Sequence, residues 1–386
     1  MNTQLHRSLS YWEVDTFFRK TDILIIGAGI VGINAALRIK RARPSWKIKV
    51  IDRGGIPAGA STRNAGFACF GSPTEILDDL LLQSENEVFE TVERRYRGLL
   101  ALKQELSLDV LQYEACGGSE VFSAEDTETY ERCLDHLSFL NQRVQPITGL
   151  PETYLPDPRL LAKQGMPGFS HLIQNQAEGG IHPGSMMQAL LQKAQSAGVD
   201  FLFGTAIETI KVEKEGVRVK TANFGEMFVE RVLVANNGFS RHLLPELKVQ
   251  GVRNQVWVTE PIPGLSIRGC FHYDRGYFYF RNIGNRLLIG GGRHLDRAGE
   301  STTEFGESPV IQSALRDLLQ LRILPKKMGV PNIDFQWSGI LGVGEGKAPI
   351  IRKLDDRLVV AVRLGGMGVA IGTLVGQDAG KLMVQS

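Results

Sequence analysis

The residues Gly27-Ala28-Gly29-Ile30-Val31-Gly32 have the Gly-x-Gly-x-x-Gly spacing that lets a backbone close around a phosphate. In such a pattern the first glycine permits a tight turn. The second lets the chain approach a pyrophosphate without a Cβ in the way, and the third lets a helix pack closely on a strand. The N–H groups that open the following helix, at Ile30 and Val31, add the positive end of the helix dipole. A dinucleotide site also needs an acidic residue about 20 positions further on, to bind a ribose hydroxyl. Asp52, with Arg53 beside it, stands there. A glycine turn chosen only for packing is the plainer alternative. The motif by itself does not separate a nicotinamide dinucleotide from a flavin one.

That chemistry requires a strand, a turn, a helix and a second strand in quick succession. Asp22 to Ile26 is an apolar, largely β-branched run of strand length, as in a strand buried on both faces of a parallel sheet. Ile30 to Arg41 is helix-compatible and ends on basic residues that suit the negative end of the dipole. Lys47 to Asp52 reads as the second strand, so the three elements make one βαβ unit. Further on, helices are expected in Glu75–Leu106, Ser123–Gln142 and Ser185–Ala197, the last capped by Ser185 or Gly184. The proline-rich stretch from Pro151 to Pro167 reads as a loop or domain crossing. Short strands are expected at 199–203, 206–212, 216–221 and 231–235. From Gln250 to Gly292, aromatic and branched runs separated by Gly and Asn suggest a mostly antiparallel sheet. Leu358 to Val362, the turn at Gly365–Gly368 and a terminal helix from Val369 return to the α/β style.

After the second strand comes Gly59-Ala60-Ser61-Thr62-Arg63-Asn64-Ala65-Gly66, whose small residues allow close approach and whose polar ones supply donors. This segment resembles the Gly-Ala-Ser-x-Arg-Asn-x-Gly element of the D-amino-acid oxidase-like flavoproteins, the glycine, sarcosine and γ-glutamylputrescine oxidases among them. Further patches in the same order resemble that family over nearly the whole chain. They are Gly179–Gly184, Ala206-Ile207, Val234-Ala235-Asn236-Asn237-Gly238, Trp337-Ser338-Gly339-Ile340 and Gly365-Gly366-Met367-Gly368-Val369. The resemblance implies FAD as cofactor. Ile207 would lie against adenine, Ala235, Asn236 and Gly238 beside the cofactor, and Gly339 with Gly365 to Val369 at the flavin end. N–H groups at that last turn would stabilise the charge of reduced flavin.

The implied reaction is oxidation of a small amine or amino acid at a C–N bond by hydride transfer to flavin N5. An FAD-dependent hydroxy-acid dehydrogenase with a non-oxygen acceptor is the alternative, and a non-catalytic flavin-binding sensor or assembly protein is the rival of another class. Three departures from the family pattern bear on the details. Leu341 stands where some amino-acid-oxidising members have a carboxylate-binding arginine. Leu288 stands where sarcosine oxidases carry an oxygen-activating lysine, and Met367 where relatives have histidine. No counterpart of the covalent attachment points is found, so the FAD is expected to be non-covalent. On the substrate side, strand alternation would place Tyr277, Tyr279 and Arg281 on one face, an aromatic wall with a cation for a carboxylate. Ordinary sheet packing stands beside that reading. His182 and His272 read as structural histidines, and Arg293 and His294 as site rim or surface.

Composition sets the outer limits. At 386 residues the chain exceeds one ordinary core, and two domains are the natural expectation. A net charge of +2 gives no field for nucleic acid. The four cysteines are scattered, without a CxxC pair or zinc-ligand spacing, which suggests a reducing compartment and no metal. No apolar run approaches the ~20 residues of a membrane span, and the N-terminus lacks a signal-peptide core, so a cytoplasmic protein is expected. The expected fold is α/β: a discontinuous Rossmann-like FAD-binding domain (1–85, 165–248 and 331–386) with an inserted α+β substrate domain (86–164 and 249–330) on a mostly antiparallel sheet.

Overall fold

The computed structural model describes residues 9–385. Its centre is a six-stranded sheet in the order Ile350–Asp355, Leu358–Val362, Arg231–Val234, Ile23–Ile26, Ile48–Ile51, Asp200–Leu202. All neighbours are parallel except the edge strand Ile350–Asp355. Ile23, Leu24, Ile25 and Ile26 are all buried because both faces of the sheet are covered. On one face lie the helices Ile30–Ala42 and Gly368–Val384. On the other, a three-stranded antiparallel sheet (Ile207–Glu213, Gly216–Thr221, Gly225–Val229) sets Val217, Val219, Met227 and Val229 against Leu24, Ile26, Val232 and Val234.

Helix Gly368–Val384 docks unusually close to Ile30–Ala42. A Cβ at Gly372 would stand 2.5 Å from Ile30 Cγ2, one at Gly376 2.5 Å from Val31 O, and one at Gly380 2.8 Å from Arg38 Cβ. Glycine at every fourth position thus strips one face of the C-terminal helix. The consequence is positional: the turn before that helix is brought to the same side of the sheet as the first glycine turn.

The second large sheet has eight strands, in the order Ile333–Val343, Gln250–Thr259, Arg286–Gly291, Phe278–Ile283, Cys270–Tyr273, Gly118–Phe122, His171–Asn175, Tyr154–Pro156. It is mixed. Cys270–Tyr273 and Gly118–Phe122 pair in parallel, and its other neighbours are antiparallel. Phe271, Phe280, Leu287 and Ile289 pack beneath helix Pro309–Asp317.

Several local expectations are corrected. Pro151–Pro167 is not a bare loop but holds strand Tyr154–Pro156 and helix Pro158–Gln164. Pro158 sits in the first helical turn, where its missing N–H costs nothing, and Asp157 caps Leu160 N. Helix Pro183–Ser196 is capped by His182, whose Nδ1 accepts from Ser185 N at 3.0 Å, rather than by Gly184 or Ser185. The eight-stranded sheet takes in 171–175 and 333–343, which the expected division placed with the nucleotide unit. Helix Glu85–Glu105, expected in the inserted unit, packs on the C-terminal helix, where a Cβ at Gly98 would stand 2.0 Å from Ala370 O.

Candidate active site

A cavity of about 590 Å³ opens where the parallel strands end, lined by Ile26, Ile51 and Ala235 at or just past their last residues. The three motif glycines do different work around it. Gly27 has φ +110°, and a Cβ there would press Ala235 O at 2.8 Å. A Cβ at Gly32 would fall 2.0 Å from Gly27 O, so Gly32 serves packing and does not line the cavity. Gly29 has ordinary extended backbone at the N-cap of helix Ile30–Ala42, and its Cβ would meet only the Ser61 side chain. Gly27, Gly29, Ile30 and Val31 all line the cavity.

Asp52 ties this region together. One carboxylate oxygen accepts from Ala28 N at 2.8 Å and the other from Gly54 N at 2.9 Å. Ser61 Oγ accepts from Ile30 N at 3.0 Å. Arg53 lies over the Phe239 ring at 3.7 Å. Of the residues expected to contact the cofactor, Asp52, Arg53, Ala60, Ser61, Asn64, Ile207, Ala235 and Asn236 line this cavity. Two of the wall residues, Thr205 and Asn236, leave Oγ1 and Oδ1 buried without a partner. Buried polar atoms are seldom left unpaired, so these point to a polar ligand. Thr62, Gly66 and Gly238 lie outside the lining. Thr62 donates to Pro57 O, Gly66 N donates to Asn64 Oδ1, and a Cβ at Gly238 would press Leu341 O at 2.5 Å.

A second cavity, of about 610 Å³, shares Ala60, Asn64, Leu341, Gly366 and Val369 with the first. Gly366 therefore faces the same continuous space as Gly29. Arg63, Ala65, Gly339, Gly365 and Met367 line this second part, and Gly368 the first. Arg63 is fixed by donating to Ser338 O at 2.8 Å while its own carbonyl accepts from Trp337 Nε1 at 3.0 Å. Tyr277 and Tyr279 are in the wall, but Arg281 is not. Arg281 is buried and donates to Gly66 O, Ile181 O and Glu114, clamping the loop behind the site. Tyr279 and Arg281 do alternate on one face; the strand simply runs past the cavity before Arg281 is reached.

A family model described as FAD dependent oxidoreductase matches residues 22–382. The chain belongs to that family. This FAD-dependent oxidoreductase is 25% identical, over 381 residues, to a probable oxidoreductase OrdL of Rhizobium meliloti, covering 93% of this chain and 82% of that one. It is 20% identical over 341 residues to sarcosine oxidase subunit beta of Rhodobacter capsulatus, covering 87% and 78%. Its fold matches glycine oxidase from Bacillus cereus with a TM-score of 0.73 at 18% identity, over 95% of each chain. L-proline dehydrogenase from P. horikoshii gives 0.72 at 18% identity, over 95% of this chain and 94% of that one.

The flavoprotein's second cavity also holds groups that sequence reading did not assign to a site. Helix Pro73–Leu80 presents Glu75, Asp78 and Asp79. Lys347 donates to Glu75 and Asp79, each at 2.7 Å, and Arg95 to Glu75 at 3.1 Å. Asp78 pairs with Arg132 at 2.6 Å and Arg275 at 3.3 Å. Burial would raise the Glu75 carboxyl, but Arg95 and Lys347 outweigh it and hold the group at about 2. Glu178, also in the wall, is pushed by burial up to about 8, even though Phe70 N and Gly71 N donate to it. Burial takes His272 down to about 4, so it is neutral at physiological pH; its Nε2 has no partner. Asn254 donates to the Tyr279 hydroxyl at 3.0 Å and leaves its own Oδ1 buried and unpaired. Arg293 lines the wall with its guanidinium 5.5 Å from the Tyr277 ring. No carboxylate among the described residues pairs with it, and burial lowers its pKa.

Proposed function

We propose that this flavoprotein oxidises a small amino acid, or a related carboxylate-bearing amine, at its C–N bond. The observation that carries the reading is the shared wall at Ala60, Asn64, Leu341, Gly366 and Val369, which joins the cavity around the glycine turn to a second one lined by Tyr277, Tyr279 and Arg293. In this reading the six-stranded unit holds the cofactor and the eight-stranded sheet forms the substrate side.

Gly27, Gly29, Ile30 and Ser61 would hold the FAD pyrophosphate, with Asp52 at the ribose and Thr205 and Asn236 supplying their unpaired oxygens. Gly339 and Gly365 to Val369 would flank the flavin. Bound FAD supplies a hydride acceptor at N5. The chain's contribution is orientation: Arg293 meets the substrate carboxylate, and the rings of Tyr277 and Tyr279 confine its carbon skeleton. A partly desolvated guanidinium with no internal carboxylate is a strong anion receptor. Neutral His272 and the unpaired Asn254 Oδ1 can accept hydrogen bonds from the N–H groups of an amine and so orient it. Holding the reacting C–H in place and keeping water out is then the main protein contribution.

The test is anaerobic. FAD-loaded protein is mixed in turn with amino acids, simple amines and 2-hydroxy acids while the visible flavin band is followed. Bleaching by amino acids ahead of the other two classes is expected. Bleaching by hydroxy acids alone, or by nothing in the panel, would overturn the assignment.

A further inference from the structure

The sequence scatters its cysteines, but folding brings two of them together. Cys116 and Cys270 are 154 positions apart in the chain, and their sulfurs lie 3.9 Å from each other. Cys270 opens strand Cys270–Tyr273, facing Gly118 on one neighbouring strand and Arg281 on the other. Cys116 precedes Gly118 by two residues. It is half-buried and follows the exposed Glu114 and Ala115, whereas Cys270 is buried. Cys116 is therefore the less buried member of the pair.

We propose that Cys116 and Cys270 form a reversible thiol–disulfide pair, closed by a small hydroperoxide such as hydrogen peroxide. The Cys116 thiolate attacks a peroxide oxygen, the O–O bond breaks, and the departing hydroxide takes up a proton to leave as water. Cys116 is now a sulfenic acid. The Cys270 sulfur attacks Cys116 Sγ, the S–O bond breaks, the S–S bond forms, and the Cys270 proton leaves in a second water. Two thiols lose two electrons and two protons, and one peroxide becomes two waters.

The local chemistry divides the two roles. The neighbouring Cys270 thiol holds Cys116 down at about 7 against the effect of burial, and the Arg281 guanidinium helps. Cys270 moves in the opposite direction, through its bond with Cys116 and through burial. The half-buried partner is thus the nucleophile and the fully buried one the resolving thiol, the arrangement expected of redox-active pairs. A disulfide needs the sulfurs at about 2.05 Å, so they must close by about 2 Å. Each cysteine adjoins a glycine with positive φ, Gly117 at +73° and Gly269 at +114°. Closure would cross-link the strand bearing His272 to the segment bearing Glu114, and replace the thiolate beside Arg281 with a neutral bond.

Cys69 and Cys133 serve as internal controls, because burial raises both thiols, Cys133 to about 12. The reduced, FAD-loaded protein is treated with a few equivalents of hydrogen peroxide, alkylated and digested without reductant. Two of the four thiols should become unreactive. A peptide cross-linked through Cys116 and Cys270 should appear and vanish on adding dithiothreitol, with Cys69 and Cys133 still alkylated. In Cys270→Ser the product should be a sulfenic acid at Cys116, trapped by dimedone. Prior oxidation of Cys69 or Cys133, persistence of both thiols, or over-oxidation of Cys116 without cross-link in the unmodified sequence would overturn the proposal.

Discussion

Replacing Gly29 with valine should separate cofactor binding from folding. The backbone there has φ −77° and ψ 179°, which a β-branched residue adopts readily. The nearest atom to the new Cβ is Ser61 Oγ at 3.0 Å, a side-chain end that can turn away. The fold should therefore survive, while the branched carbons crowd the Val31 N–H and push aside the Ser61 hydroxyl, which Ile30 N holds in place. Hydrogen bonds to a charged group contribute about 1.5–3 kcal/mol each. Losing two from a pyrophosphate weakens FAD by about 3–6 kcal/mol, a hundredfold or more in Kd. Apoprotein titrated with FAD by flavin fluorescence gives the affinity, and melting of the apoprotein gives the stability. Gly32→Ala is the control with opposite character. Its Cβ would lie 2.0 Å from a backbone carbonyl that cannot step aside. That variant should lose at least about 1–3 kcal/mol of apoprotein stability. Wild-type FAD affinity in Gly29→Val, or a collapse of its apoprotein equal to that of Gly32→Ala, would refute the assignment of this turn to the cofactor.

Arg293→Met should raise KM for amino acids by about tenfold to a hundredfold, the equivalent of one charged hydrogen-bonding partner, and leave uncharged amines little changed; steady-state kinetics on matched pairs decides it. Glu178 carries a pH signature. An unfolded glutamate releases its proton near 4.5 and the buried one only at about 8, so the native state binds more protons in between. Stability should then fall as pH rises from about 4.5 to 8, by at most about 1.4 kcal/mol per pH unit. Glu178→Gln should flatten that decline in melting temperatures taken at pH 6 and pH 8. Glu75 has the opposite sign, because its folded value of about 2 lies below the unfolded one. Its contribution is present above about 4.5 and is lost as pH falls towards 2. Lys347→Met, which removes one of its two cations, should lower the melting temperature at neutral pH and shallow the acid limb between pH 4.5 and 2.

What could be read in advance was what consecutive residues decide among themselves. Gly27 to Gly32 and Gly59 to Gly66 carry their geometry within eight positions or fewer, and the strands beside them are apolar enough to announce burial on both faces. Pairings between distant segments were not readable. The strand Gly118–Phe122 gave no signal because its alternation is interrupted by a buried Glu120, whose carboxyl is satisfied by Thr74 on another element. Buried polar residues are tolerated where a distant donor meets them, and sequence shows the residue but not the donor.

The second cavity makes the same point more sharply. Glu75, Asp78 and Asp79 follow the capping Ser72 at spacings that place them on adjoining faces of one helix, and that much could have been read as an acidic surface. What turns it into a cavity wall is Lys347, 272 positions from Glu75, carried there by the loop joining the last strand of the eight-stranded sheet to the edge strand of the other. Arg281 errs in reverse: its alternation with Tyr279 was right, yet alternation fixes a face and not a distance along the strand. The cavity ends between Tyr279 and Arg281, where Gly66 and Ile181 offer carbonyls instead of open space. In the proposed function the carboxylate-binding role passes to Arg293, which reaches the same wall after strand Arg286–Gly291 has turned through Gly292 at φ +80°. A left-handed turn after a strand redirects the next side chain through a large angle, and only the backbone conformation, not the residue types, reveals where it points.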